Sequence, residues 1–109
     1  MGRLASHVLV GGLLRQAEAQ GGFGTVIVKG ASMGGTIGVI LSEKGEKACF
    51  LERMLQPDGG YRWEKSGPAP ANAEQFQLFL EKRRRIDPDL WILELDIASA
   101  ERFAAEMNG

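Results

Sequence analysis

A chain of 109 residues with 44% hydrophobic and 25% charged residues is sized for one domain, spanning residues 1–109, and has the composition of an ordinary folded protein, which excludes intrinsic disorder. The net charge of −1 supplies no overall field to draw in nucleic acid or an anionic membrane, so any basic site has to be a local patch. A single cysteine, Cys49, excludes a disulfide framework and a thiolate zinc cluster and fits a reducing cytoplasm, the expected location.

At the start, Met1, Gly2 and Ser6 match the bare myristoylation pattern, but no polybasic second signal follows. Residues 7–14 are too short and too glycine-interrupted for a signal core, and no run approaches the roughly 20 apolar residues that cross a bilayer. Ser6 is placed to cap a first helix. Leu9, Val10, Leu13, Leu14 and Ala17 recur at helical spacing, with Arg15 and Glu18 opposite. A short strand over residues 7–10 is the alternative. Gly21 and Gly22 end the helix, because a glycine just past a helix supplies a left-handed residue.

Residues 25–29 then read as a strand and residues 31–35 as a loop. Residues 36–42 form a second strand with Ile37, Val39 and Leu41 on one face. Residues 43–46 are a hairpin connection, residues 47–55 a third strand, and residues 56–60 a turn built on Pro57, Asp58 and Gly59. Residues 61–65 form a fourth strand, and residues 67–71 an irregular crossing. Asn72 caps a second helix, with Gln75 in position for a capping box, and Phe76, Phe79 and Leu80 share its face. Pro88 forces Asp87 out of helical conformation, so this helix stops by Ile86. Trp91, Leu93, Leu95 and Ile97 alternate with Ile92, Glu94 and Asp96 as a strand with one strongly apolar face. Residues 98–107 close the chain as a short helix.

These elements predict an α+β fold: an antiparallel four- to five-stranded sheet, made of a four-strand meander plus one strand after a helix, with two or three helices packed mainly on one face.

The chemistry is sparse. Gly22 and Gly24, and Gly34, Gly35 and Gly38, follow a helix or lie between strands, without the strand–glycine–helix order a phosphate loop needs. His7 is the sole histidine, which argues against a metal centre or a catalytic dyad. Cys49 sits mid-strand as an inert thiol. Asp87, Asp89, Glu94 and Asp96 resemble a nuclease acidic set, yet the supporting lysine is absent and turn and surface roles account for all four. No catalytic residue, metal or cofactor is expected.

The cationic run Lys82, Arg83, Arg84 and Arg85 is the best candidate surface. Its first role is to complement the negative end of the helix dipole, at about 0.3–1 kcal/mol per charge. Arg83 is out of pattern: it falls within the arc of Phe76, Phe79 and Leu80, so it must run its stem along the core edge or pair with a carboxylate, with Asp87, Asp89 and Glu94 nearest in sequence. Nucleic-acid binding would use Arg83, Arg84 and Arg85 with Trp91 or Trp63, or with Tyr61, as stacking platforms. A small enzyme would need Asp87, Asp89, Glu94 and Arg83 in one pocket.

The third strand is apolar on both faces, with Ala48, Phe50 and Met54 on one and Cys49, Leu51 and Leu55 on the other. Helices on one side of the sheet would leave one of these faces open, which favours a non-catalytic binding or assembly module, self-associating as a homodimer or engaging a protein partner.

The segment Leu13 to Ala19 followed by Gly21 and Gly22, the pair Arg62 and Trp63 ahead of a proline-containing segment, and above all Asp87-Pro88-Asp89-Leu90-Trp91-Ile92-Leu93-Glu94 resemble the small bacterial proteins grouped as domain of unknown function family 1491. The resemblance spans roughly residues 4–96 and implies a small soluble bacterial protein without an assigned activity, so no catalytic residue carries over. It marks the stretch from Lys82 to Asp96 as the centre of interest. The resemblance also implies a strand-like end with a glycine turn after Asp96, where residues 98–107 read as helix instead.

Overall fold

The structure is a computed structural model that describes residues 5–108, the side chain of residue 108 excepted; most of the myristoylation pattern, Met1 to residue 4, lies outside the described residues. Helix α1 (Ser6–Ala19) leads to strand β1 (Phe23–Val28), then β2 (Ile37–Glu43), β3 (Glu46–Leu55), β4 (Tyr61–Lys65), helix α2 (Ala73–Ile86), strand β5 (Trp91–Asp96) and helix α3 (Ala100–Asn108). The class is the expected α+β. The five strands form one sheet in the order β1-β5-β2-β3-β4, mostly antiparallel, with β2 and β5 parallel.

Local chemistry sets most boundaries. Residues 7–10 belong to α1 rather than to a strand, and Gly21 (φ +83°) ends that helix, its N–H reaching the Glu18 carbonyl and the Gly22 N–H the Ala17 carbonyl. Ser6 does not cap it. The N-cap is Ala5, and the Ser6 hydroxyl donates instead to the Gly35 carbonyl at 2.8 Å. Asn72 does cap α2, accepting from the Gln75 N–H at 3.4 Å. That helix ends at Ile86, where the Asp87 N–H closes onto the Arg83 carbonyl. After Asp96 the chain turns through Ser99 (φ +60°) into α3.

The meander covers only β2, β3 and β4. The first strand lies at the far edge and β5 is inserted between it and β2, so β1 and β2 are not neighbours. Two physical reasons account for this. Successive strands pair by default when joined by a tight turn, but residues 29–36 are long enough to step over a strand. And β5 is the strand best suited to the centre: Trp91, Ile92, Leu93 and Leu95 are buried from both faces. Its parallel pairing with β2 follows from α2, since a helix-containing connection is what returns a strand in the same direction as β4.

Both faces of the sheet are covered. On one, α1 and α3 pack Val10, Ala17, Ala100 and Phe103 against Val39, Leu41, Cys49, Leu51, Trp91, Leu93 and Leu95. On the other, α2 sets Phe76, Leu80 and partly buried Phe79 over Ile40, Phe50 and Ile92, with the Phe50 ring edge-on to both α2 phenylalanines. Two helices therefore share one face, as expected, and the third closes the other. This corrects the open face expected beside the third strand: Cys49, Phe50, Leu51 and Glu52 are all buried.

Candidate functional site

The stretch from Lys82 to Asp96 resolves into a structural lock and an exposed cationic remainder. The Asp87 carboxylate accepts the Asp89 N–H at 3.2 Å, an Asx turn across Pro88. The Asp89 carbonyl then takes the Ala31 N–H at 3.1 Å, and the Trp91 N–H reaches the Thr36 carbonyl at 2.8 Å. The Trp91 indole donates to the Ala31 carbonyl at 2.6 Å, and Leu90 and Trp91 are buried. Gly30 and Gly35 pack so close to the Asp89 carbonyl and the Trp91 ring that a Cβ at either would overlap them. The Asp-Pro-Asp-Leu-Trp box thus fastens the loop of residues 29–36 over the start of β5.

Arg83 does pair with a carboxylate, but with Glu52 of β3 rather than with any of the three nearest in sequence. Its Nε donates to Glu52 Oε1 at 3.0 Å and its Nη2 to the same oxygen, while the Ser66 hydroxyl holds Oε2 at 2.6 Å. Glu52 is 3% exposed, so this is a buried, fully bonded ion pair that ties α2 to the sheet. Sequence spacing could not reveal it, since the partners lie 31 residues apart. The signal available was a glutamate within the apolar run of the third strand.

The remaining candidates disperse. Glu94 accepts the Ser42 hydroxyl at 2.6 Å. Asp96 takes the backbone N–H groups of Lys44 and Gly45 at 2.9 and 2.8 Å, clamping the β2–β3 hairpin. Trp91 and Trp63 belong to the core on the α1–α3 face, whereas Arg83 meets Glu52 on the α2 side. Arg84, Arg85 and Lys29 line an open cleft with Glu81 and Asp87, and neither tryptophan reaches it. Of the set Asp87, Asp89, Glu94 and Arg83, Asp87 lines this cleft and accepts the Asp89 N–H, whereas Glu94 is bonded to Ser42 and Arg83 to Glu52. Among the described residues no group of three or more His, Cys, Asp or Glu side chains is placed to hold a metal ion, and no helix is long and apolar enough to cross a membrane.

His7, on the first turn of α1, contacts the Ser32 carbonyl through its ring at 3.2 Å. A second cleft, of about 260 Å³, opens between Ser6, Gly35, Ile37 and Arg53. The His7 N–H at the start of α1 is already bonded to the Ser32 carbonyl, and the Arg53 guanidinium stacks 3.8 Å above the Tyr61 ring. Cys49 is buried, and burial pushes its thiol above the ordinary range; Lys65 opposes and Glu101 reinforces the shift.

The sequence left the two sheet edges undistinguished. Strand β4 carries Arg62, Glu64 and Lys65 among its five residues, whereas β1 reads Phe-Gly-Thr-Val-Ile-Val with no charge at all. Phe23 is 62% exposed and Ile27 50%. Strand β1 pairs only with β5, which leaves its outer edge unpaired.

A five-stranded sheet with helices on both faces defines a small α+β domain. Residues 4–105 match the sequence profile of the family described as protein of unknown function (DUF1491), and the chain belongs to it. It is similar to a DUF1491 family protein from Caulobacter crescentus CB15. The crystal structure of that protein superimposes with a TM-score of 0.81 at 26% identity, covering 93% of this chain and 94% of that one; its NMR structure gives 0.78 at 26%, covering 92% and 91%. The solution structure of protein Atu0922 from A. tumefaciens is similar at TM-score 0.75 and 30% identity, over 90% of this chain and 89% of that one. The search of curated proteins gave no match to the sequence.

Proposed function

We propose that this protein is a non-catalytic binding or assembly module of the cytoplasm that engages a protein through the outer edge of β1. The observation that carries the reading is the contrast between the edges. An unpaired strand offers a row of free N–H and C=O groups, and folded proteins blunt such edges with charge. Strand β4 is blunted in this way; β1, whose ladder with β5 has a bulge between Val26 and Val28, carries no charge and adds exposed Phe23, Val26 and Ile27. A buried, free Cys49 accords with a reducing compartment.

A photo-crosslinking residue at position 27, expressed in the producing cells, tests this. A discrete adduct is expected at position 27 and none from the same residue at position 64 on the opposite edge. No adduct at 27 removes the reading.

The cleft of Lys29, Arg84 and Arg85 supports a second reading, contact with a nucleic-acid backbone. Glu81 and Asp87 in the same cleft weigh against it. A low-salt mobility-shift titration in which Arg84→Glu with Arg85→Glu binds as the parent does would end it.

A further inference from the structure

Resting on the reading of this chain as a protein-binding module, we infer that the cleft between the end of β1 and the last turns of α2 takes an acidic segment of the partner, one whose carboxylates flank an apolar side chain. First, the bulge in β1 builds one wall of the cleft. In a regular strand Val26 and Val28 would share a face. Here Val26 stands opposite Leu93 and Val28 opposite Ile92, with the register shifting between them. Leu93 belongs to the core on the α1–α3 face and Ile92 to the core beneath α2, where Val28 also packs. The strand therefore changes faces, and Val28 and Lys29 arrive beside α2. Re-aiming side chains is what a bulge does to a strand.

Second, the cations of the cleft are uncommitted. Glu81, Arg84 and Arg85 recur at i, i+3 and i+4, so they form one stripe of α2, and this stripe shares the cleft with Lys29. Among the described residues Lys29, Arg84 and Arg85 form no ion pair, whereas Arg83 of the same run is bonded to Glu52. Two guanidinium forks and an ammonium from opposite walls suit carboxylates, which each fork can bind through paired hydrogen bonds.

Third, the rest of the lining selects among anions. Glu81 and Asp87 stand in the same cleft, so a continuous polyanion meets repulsion there. Val28 and Leu90 supply apolar surface between the charges. A volume of about 490 Å³ that is open to solvent accommodates a few side chains of a peptide instead of enclosing a small molecule. Carboxylates spaced by an apolar side chain satisfy all three conditions. The cleft also begins at Val28, where β1 ends, so a segment lying along the β1 edge runs into it.

The test is a titration of the isotope-labelled full chain with the peptide acetyl-Glu-Glu-Leu-Glu-Glu-amide at low salt, read from amide chemical shifts. Saturable shifts are expected at Val28, Lys29, Arg84, Arg85 and Leu90, and none with the matching glutamine peptide. Arg84→Gln with Arg85→Gln should weaken binding at least about 10-fold, through lost charge-assisted hydrogen bonds. Both arginines are exposed, so this variant should keep its circular dichroism; Lys29→Gln, on the other wall, replaces it should it misfold. Lys82→Gln removes an equal charge outside the cleft and should leave binding unchanged. No saturable shift by about 5 mM peptide, beyond the ordinary weak-binding range, overturns the inference. So does binding that survives the arginine substitutions, or a single-stranded DNA that shifts the same amides at lower concentration than the peptide. A position-27 adduct without cleft shifts removes only the acidic-segment assignment; cleft shifts without that adduct remove only the β1-edge reading.

Discussion

Glu52 and Arg83 show how one buried ion pair constrains its neighbours. Glu52 has no solvent to fall back on, whereas Arg83 keeps 24% of its side chain exposed. Removing the arginine is therefore worse than removing the acid, because it strands a buried carboxylate with only the Ser66 hydroxyl. Arg83→Ala is expected to cost about 2–4 kcal/mol in chemical denaturation, and Glu52→Leu combined with Arg83→Met to recover much of that loss, since apolar replacement of both partners removes the desolvation penalty. Full loss in the double variant would mean that the pair contributes net attraction. Cys49 supplies a pH signature. Burial raises its thiol pKa, so the folded state holds the proton more tightly than the unfolded one. The associated stability is complete below the unfolded thiol pKa, about 8.5, and is lost as pH rises towards the folded value. The parent should thus lose stability above that pH more steeply than Cys49→Ala, as read from denaturation midpoints between neutral and alkaline pH.

At the scale of elements, the hairpin between β2 and β3 has an identifiable strain and an identifiable clamp. Lys44 (φ +53°) and Gly45 (φ +84°) form its two central residues, the left-handed pair that a tight type I′ turn requires. Lysine is a poor left-handed residue, and the Asp96 carboxylate holds the turn by taking both N–H groups. Lys44→Asn is expected to raise stability by about 0.5–1 kcal/mol and Asp96→Ala to lower it by about 1–2 kcal/mol, both measured by thermal unfolding. An Asp96→Ala protein as stable as the parent would show that the clamp is incidental. The helices divide their work similarly. Four consecutive cations end α2, yet only Arg83 turns inward to Glu52, while Arg84 and Arg85 stay in solvent. A run that looks like one feature in sequence is thus two in space, because successive residues on a helix point about 100° apart.

For the whole molecule, the sheet order predicts a gradient of stability. Strand β5 is paired on both sides and buried on both faces, and β2 likewise, whereas β1 and β4 are edges. Amide exchange should be slowest in β5 and β2 and fastest in β1 and β4; protection of β1 equal to that of β5 would contradict the order. The existence of the elements was legible beforehand because it rests on local signals: the 3.6-residue spacing of α1, Gly21 after it, Asn72 before α2, Pro88 after it, and the two-residue alternation through β5. The α+β class follows from those same elements. Their order in the sheet was not legible, because β5 enters between β1 and β2 from beyond the whole meander and α2, a pairing that neighbouring residues do not encode. The candidate surface divides for the same reason. The sequence alone marked Arg83 as out of pattern, bound either to run along the core edge or to pair with a carboxylate, and Asp87-Pro88-Asp89 as a turn; only tertiary structure chose Glu52, placed Trp91 inside and left β1 at an uncharged edge, since these depend on which residues meet across the fold.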